Sequence, residues 1–329
     1  MSILKQGLLR SSKFWYPVLG VFLILFAFYP FLGSGYWIRV LTGVFMYAAL
    51  ATSLNVIIGY TGYTDFGNVV FFGIGAYTTA VLMQSFHTPL VLATLAGGVV
   101  SAIWAGLLGL PILRLKGHYF AIATIGVMDA LREIVTNMNI TGGGMGISIP
   151  AGIDVSPEQF NNMIYYIMLL LMIIYVIASA LIRKSRFGYG LRAIRADEQA
   201  AAIAGIPTVR YKVTAWAISA FMTGLVGGFF AYWYAYIEPQ DVFNIDISVK
   251  YMIMMLIGGS GTVFGPVVGA FFLEIVSELV WGRFFEYHLG ILGLIIIFAV
   301  IFLPKGILPL IQRRISFKAW LAEFKQSAG

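Results

Sequence analysis

Residues 162–182 read NMIYYIMLLLMIIYVIASALI, an unbroken run without Asp, Glu, Lys or Arg. An α-helix of about 20 apolar residues is long enough to cross the hydrocarbon core of a bilayer. The whole chain has this character, since 60% of its 329 residues are hydrophobic and only 11% are charged. A soluble domain carries roughly 25% charged residues, so this chain has too few to cover a surface exposed to water. The sequence therefore predicts an all-α transmembrane protein.

Similar apolar runs on both sides of this stretch extend the prediction to a helix bundle of about ten spans. We place the spans at 15–32, 38–58, 66–85, 90–113, 119–138, 162–182, 211–236, 248–263, 265–281 and 287–303. Glycine-rich turns near 59–68 and 257–266 predict short or broken helices, so 248–281 is either two spans or one re-entrant pair. Phe-Gly-x-Val-Val occurs at both 66–70 and 264–268. The repeat is either a chance match of short apolar words or the paired interruption typical of a central transport site.

The basic residues predict the orientation of the bundle. Four segments hold 3, 2, 7 and 5 of the 21 Lys and Arg residues, namely 1–14, 114–118, 183–212 and 304–329. Because cytoplasmic loops carry the excess of Lys and Arg, both termini are expected in the cytoplasm of a multi-pass protein of the inner membrane. Lys5, Arg10 and Lys13 precede the first apolar run as in a signal peptide, but no small-x-small cleavage site follows. We expect a retained first span, with a cleaved signal as the alternative.

The long polar segment 183–212 has the periodicity of an amphipathic surface helix. Phe187, Leu191 and Ile194 recur at helical spacing, and charged residues occupy the other faces. A run rich in Ala and Gly follows at 199–205. Such a helix suits docking into a groove on a partner protein. The alternative is an ordinary basic loop that lies on the membrane surface.

The residues that several kinds of chemistry require are absent from this chain. With no Cys, disulfides, thiolate catalysis and cysteine-ligated metals are excluded. There is no Gly-x-x-x-x-Gly-Lys-Ser/Thr phosphate loop, so the chain does not hydrolyse ATP itself. His87, His118 and His288 are far apart in sequence, which argues against a metal site. We therefore expect no enzyme activity and no cofactor. We also expect no nucleic-acid partner, because the basic residues are confined to short segments between spans.

Six separated blocks of sequence resemble, in their order, the branched-chain amino acid ABC transporter permeases, and most closely the M-type subunit. They are Gly59-Tyr-Thr-Gly62, Phe72-Gly-Ile-Gly-Ala-Tyr77, Gly117-His-Tyr-Phe-Ala-Ile-Ala-Thr124, Thr141-Gly-Gly, Phe187-Gly-Tyr-Gly-Leu-Arg-Ala-Ile-Arg-Ala-Asp-Glu198 and Ile257-Gly-Gly-Ser-Gly-Thr-Val-Phe-Gly-Pro266. The resemblance runs from about 37 to 305. It implies one transmembrane permease domain over 1–329, in an importer of branched-chain or similar small amino acids. A permease for urea or short amides and a stand-alone secondary transporter remain the alternatives.

The resemblance also implies partners and a coupling loop. In such permeases a Glu-Ala-Ala…Gly motif in the large cytoplasmic loop, here 183–212, seats in the ATPase subunit. The residues implied for ATPase coupling are Phe187, Leu191, Arg192, Arg195, Asp197, Glu198, Ala201 and Gly205. Two ABC ATPase subunits that bind ATP, a second homologous permease subunit and an extracytoplasmic solute-binding protein are the expected partners. Many relatives read Leu-Ser-Leu-Gly-His where this chain reads Thr64-Asp-Phe-Gly-Asn68, which introduces the charged Asp65.

Charged and glycine-rich positions supply the candidates for the solute pathway. A charge within the membrane costs several kcal/mol unless it is paired or hydrated. Asp129 and Arg132 have the i, i+3 spacing that allows pairing on one helix face, and Glu274 lies in the ninth span. These residues either line the pathway or form a structural salt-bridge network. Thr141, Gly142 and Gly143 open the longest outward loop, whose amides either bind a carboxylate or belong to a plain docking loop.

Overall fold

The computed structural model describes residues 25–31, 33–115, 117–149 and 156–283, with scattered positions between 287 and 308. The predicted span 287–303 and both termini, which are predicted to be cytoplasmic, therefore lie largely or wholly outside the described residues. Of the first predicted span, only 25–31 is described, a short helix that ends in the 3-10 turn Tyr29–Phe31.

The described residues are almost entirely helical, which confirms the all-α class. The helices are α1 (Gly35–Leu54), α2 (Val69–Phe86), α3 (Leu90–Ile112), α4 (His118–Asn137), α5 (Pro157–Lys184), α6 (Arg186–Ala196), α7 (Glu198–Ile203), α8 (Thr208–Tyr234), α9 (Pro239–Val242), α10 (Ile245–Gly258) and α11 (Gly265–Arg283). Two 3-10 turns, Asn139–Thr141 and Gly143–Met145, follow α4. The strands β1 (Ile147–Ser148) and β2 (Tyr236–Ile237) pair in antiparallel fashion.

Five described helices are long and apolar enough to cross a membrane. They are α1 with its extension to Gly59, α2, α3, α5 and α8. Ten spans are not confirmed, since α4, α10 and α11 are not among the five. Helix α4 carries Asp129, Arg132 and Glu133. Helix α10 has only 14 residues, about 21 Å of helix, which is shorter than the hydrocarbon core.

Glycine lets the central helices touch at the backbone. Helix α8 packs against both α2 and α3, and α1 packs against α5 and α11. A Cβ atom on Gly75 would clash with the carbonyl oxygen of Gly224, and one on Gly227 would clash with that of Phe72. No side chain fits at either contact. Close glycine contacts are typical of helices that associate within lipid, so the core lies where α2, α3 and α8 meet.

The two predicted helix breaks are present and lie side by side. Helix α1 continues through the π-helical turn Asn55–Gly59 to Thr61, and the chain becomes helical again only at Val69. Helices α10 and α11 are separated by a turn and pack against each other. The side chain of Asn55 joins the breaks, since Nδ2 donates to the Thr262 carbonyl at 2.8 Å and Oδ1 accepts from the Gly261 amide at 2.7 Å.

Candidate functional site

Helices α6 and α7 form one unit, residues 186–203, which we call the coupling unit. Its helix ends are fixed by side-chain caps. The Ser185 hydroxyl accepts the Gly188 amide at 3.1 Å and so begins α6. Asp197 Oδ1 accepts the amides of Gln199 at 2.8 Å and Ala200 at 3.0 Å. Asp197, a predicted coupling residue, therefore ends α6 and caps α7.

The predicted apolar face of α6 is its buried face. Leu191 is completely buried, and Ile194 is nearly so. The ring of Phe187 packs 5.2 Å, centroid to centroid, from Tyr211 at the start of α8. The amphipathic pattern therefore fixes the coupling unit to its own chain and leaves the opposite face of α6 exposed. On that face the Arg192 guanidinium lies 4.5 Å from the centre of the Tyr189 ring.

Arg195 connects the coupling unit to both helix breaks. Its Nη1 donates to the carbonyl oxygen of Gly59, at the end of the π-helical turn. Its Nη2 reaches the hydroxyl of Ser260, in the turn between α10 and α11, at 3.4 Å. One guanidinium thus touches the two segments that Asn55 also joins. A charged, planar donor group of this kind holds two acceptors in a fixed relative position.

Glu198 contacts other segments of its own chain. Its Oε1 lies 2.7 Å from Lys212 Nζ, and its Oε2 accepts from the Tyr63 hydroxyl at 2.5 Å. The ammonium of Lys212 also donates to the Leu113 carbonyl at 2.9 Å and to the Tyr63 oxygen at 2.8 Å. Burial and the bond to Glu198 raise the pKa of Tyr63 well above its usual range. The network ties α7 to α8 and to the segment after α1, and an ATPase contact by Glu198 stays a prediction.

The outer surface of α7 ends in an exposed apolar residue that the sequence patterns did not single out. Ile203 is 89% exposed, although Ala201, two positions earlier, is buried. Gly205 follows with φ +86°, and a Cβ atom added there would have no other atom within 4 Å, so Gly205 is free to approach another surface. In the sequence, the large apolar side chain at the end of an Ala-rich run was the signal that could have identified Ile203. An apolar side chain at an exposed helix end suits insertion into a groove on a partner protein.

A second candidate site is a cavity of about 980 Å³ between α1, α2, α5, α8, α10 and α11. We call it the α1–α11 pocket. Its charged lining residues are Arg39, Lys250, Glu274 and Glu278. Its aromatic lining residues are Tyr47, Phe72, Phe160, Phe230, Trp233 and Tyr234. The sequence patterns indicated Glu274 as a pathway residue but not the aromatic and basic residues that meet it, because the lining comes from segments more than 200 positions apart.

Two of the charged groups of the pocket, Lys250 and Glu274, are in contact with each other. Lys250 Nζ lies 2.8 Å from Glu274 Oε2 and 4.2 Å from the centre of the Tyr47 ring. A Cβ atom on Gly43 would lie 3.7 Å from Glu274 Oε1, so α1 approaches this carboxylate without covering it. One turn further along α11, Glu278 accepts a hydrogen bond from the Tyr36 hydroxyl.

The other predicted pathway residues are not in this pocket. Arg132 Nη2 lies 3.2 Å from Asp129 Oδ1 on α4, and their side chains are 38% and 50% exposed. The Thr141 hydroxyl donates within its own turn, to the carbonyl groups of Val135 and Met138. A Cβ atom on Gly142 would clash with a carbonyl oxygen of the same loop, and Gly143 has φ +61°. A pathway role for these residues stays a prediction.

Metal ligands are not grouped in the part of the chain that the structure describes. No cluster of His, Cys, Asp or Glu that could hold a metal ion occurs there. For the whole chain, the absence of a metal site stays a prediction.

Comparison with known proteins identifies the family. A model described as "Branched-chain amino acid transport system / permease component" matches residues 36–300. The high-affinity branched-chain amino acid transport system permease protein LivM of Salmonella typhimurium is 30% identical, over 93% of this chain and 77% of the relative. LivM of Escherichia coli is 29% identical over the same shares. No solved structure gives a significant match. With a family match over most of its length, this chain belongs to the branched-chain amino acid transport permeases.

Proposed function

We propose that this chain is the permease subunit of an ABC importer in the inner membrane, and that it moves branched-chain or similar small amino acids. Two separate ATPase subunits bind ATP and seat against the coupling unit from the cytoplasm. The assignment of the solute is supported by the family match and by the LivM relatives. The observation that carries the ATPase assignment is the way in which Arg195 joins the coupling unit to both helix breaks.

The contacts of Arg195 define a path for movement. A displacement of α6 is passed to the end of α1 at Gly59 and to the turn at Ser260. Asn55 keeps these two segments together, so they move as one body. Because α1 and α11 continue from the breaks into the α1–α11 pocket, closure of the ATPases changes access to that pocket. Alternating access of this kind needs one rigid body to move against the rest of the bundle.

The proposed binding protein docks at the end of the bundle opposite the coupling unit. Pairing of β1 with β2 brings the loop after α4 beside the loop after α8. The Tyr236 hydroxyl donates to the Met145 carbonyl at 2.6 Å, and the Met145 side chain is exposed. This double loop receives an extracytoplasmic binding protein. A second homologous permease subunit completes the pathway, and both termini of this chain lie in the cytoplasm.

Two alternative functions are weaker. A stand-alone secondary transporter has no use for a coupling unit that presents Ile203, with Gly205 just after it, to the cytoplasm. A permease for urea or short amides has the same architecture, and the named relatives include permeases for other solutes, such as the L-arabinose permease AraH of Azospirillum brasilense at 27% identity over 71% of this chain and 69% of the relative. The LivM relatives match over a larger share of the chain and favour amino acids.

Substitution of Ile203 tests the ATPase contact. We expect Ile203→Asp to leave the permease in the membrane, because this side chain is almost fully exposed. The charge placed in an apolar contact weakens co-purification of the co-expressed ATPase by about tenfold or more. Val209→Asp is the matched control, since Val209 is an exposed aliphatic residue on α8, outside the coupling unit. If Ile203→Asp retains as much ATPase as Val209→Asp does, the coupling unit is only a basic interfacial segment.

A further inference from the structure

We propose that the α1–α11 pocket is a solute-binding site for α-amino acids with apolar side chains, in which Glu274 binds the ammonium group and Lys250 binds the carboxylate. This site rests on the proposed permease function and adds to it the place and the contacts of the solute. Three features of the pocket support it: its position in the bundle, its charges and its aromatic wall.

The pocket lies at the end of the bundle where solute arrives. Helix α5 contributes Pro157 and Phe160, at its first turn, to the pocket. The same helix ends at Lys184, immediately before the coupling unit. Its 28 residues correspond to about 42 Å of helix, so the pocket and the coupling unit are at opposite ends of one span. The pocket volume also falls in the usual range for small-molecule sites, roughly 300–1,000 Å³.

The charges in the pocket match both charges of an amino acid. Lys250 and Glu274 have side chains that are only 28% and 16% exposed, and each compensates the other at 2.8 Å. Separating such a pair in an apolar setting is unfavourable unless each partner finds a new counter-ion. A zwitterion supplies both counter-ions at once, since its ammonium replaces Lys250 at Glu274 and its carboxylate replaces Glu274 at Lys250. A sugar or an amide supplies neither.

The helix facing Glu274 leaves room for this exchange. Gly43 of α1 has no side chain, and even a Cβ there would stop 3.7 Å from Glu274 Oε1. A second cation, Arg39, lies one turn before Gly43 on the same face of α1 and lines the same pocket. Arg39 forms no ion pair among the described residues, so the pocket holds a positive group in addition to the Lys250–Glu274 pair. This charge favours the carboxylate end of the solute.

The remaining wall is apolar. Phe160, Phe230 and Trp233 line the cavity and provide a surface for an aliphatic side chain. The gain from burying a side chain grows with the apolar area that leaves water. For a side chain of the size of leucine this gain corresponds to about tenfold or more in affinity, so the wall selects apolar over polar amino acids.

Equilibrium binding of radiolabelled leucine to the solubilised permease–ATPase complex, without ATP and without binding protein, tests the site. Two competitors, 4-methylpentanoate and 3-methylbutylamine, each lack one of leucine's charged groups. We expect both to compete about tenfold or more weakly than leucine. Glu274→Gln weakens leucine and the amine by about tenfold but does not weaken the acid, and Lys250→Gln weakens leucine and the acid but not the amine.

The control variants separate binding from folding. Glu133→Gln removes an exposed carboxylate of α4 outside the pocket and leaves leucine binding unchanged. The double variant Lys250→Gln/Glu274→Gln removes both members of the ion pair, and it is expected to bind leucine and 4-methylpentanoate equally weakly, because Arg39 still favours the carboxylate that both compounds carry. The proposal is overturned if the wild-type complex retains no leucine, or if the double variant still prefers leucine over 4-methylpentanoate. Because no ATP turnover is measured, such a failure leaves the coupling assignment intact.

Discussion

The ammonium of Lys212 lies 2.7 Å from the carboxylate of Glu198, and the Lys212 side chain is 2% exposed. This contact holds α7 against the first turns of α8. Lys212→Met therefore removes the ammonium group that lies against Glu198 Oε1. Removing one partner of a buried pair costs roughly 3–5 kcal/mol, so we expect much less folded protein in the membrane. Detergent-solubilised yield and the thermal midpoint of unfolding measure the loss.

The double variant Glu198→Gln/Lys212→Met separates the pair from other effects of the substitution. It removes both charges, and we expect it to recover most of the lost stability. Equal instability of the single and double variants would mean that the pair does not hold α7 in place.

Helix α5 offers a direct test of orientation, because the chain has no Cys of its own. Glu158 and Lys184 are exposed residues at opposite ends of this helix. A cysteine at 158 should react with an impermeant maleimide added to intact cells, whereas one at 184 should react only after the membrane is opened. Labelling of both positions from outside would contradict a cytoplasmic coupling unit.

Asp65 gives the protein a predicted pH dependence. The side chain is completely buried between α1 and α2, and burial raises the pKa of this carboxyl from 3.8 to about 6. Folding therefore favours the protonated form. The contribution of Asp65 to stability is fully present below its unfolded pKa, falls as the pH rises, and is lost above about 6. The difference in the free energy of unfolding between the two limits is roughly 3 kcal/mol.

Asp65→Asn should remove this dependence, because an amide does not titrate in this pH range. The fold should be kept, since the amide oxygen can still accept from Trp216 Nε1, which lies 2.7 Å from Asp65 Oδ2. We expect the wild-type unfolding midpoint to fall between pH 5 and pH 8 relative to that of Asp65→Asn. Asp241→Asn, at an exposed position, should follow the wild type. An unchanged difference between wild type and Asp65→Asn across this range would show that Asp65 does not titrate there.

Helices whose formation depends on the pattern of neighbouring residues were predicted from the sequence. The apolar run 162–182 lies within α5, and the spacing of Phe187, Leu191 and Ile194 predicted both α6 and its buried face. The glycine-rich turn near 257–266 likewise predicted a short or broken helix, and α10 has 14 residues. The count of ten spans is not confirmed, since five described helices are long and apolar enough to cross a membrane.

The sites depend on distant contacts and were predicted only in part. Glu198 looks like an exposed residue of a polar loop, but its partners Lys212 and Tyr63 come from two other segments. Glu274 was predicted near the solute pathway, but its partner Lys250 was not singled out, because their pairing depends on how α10 folds back on α11. Helix packing decides these contacts, and a single sequence contains no direct measure of it.

Substitution of Arg195 tests whether the coupling unit moves the two helix breaks. Its matched control is Arg186, an exposed arginine at the first position of the same helix. Leucine uptake and ATP hydrolysis are measured together in proteoliposomes that hold the complete importer. We expect Arg195→Gln to keep ATPase association and hydrolysis but to lower uptake per ATP by about tenfold or more, since charged hydrogen bonds to both breaks are lost. Arg186→Gln should match the wild type. Equal uptake per ATP in Arg195→Gln and wild type would show that this arginine does not transmit the movement.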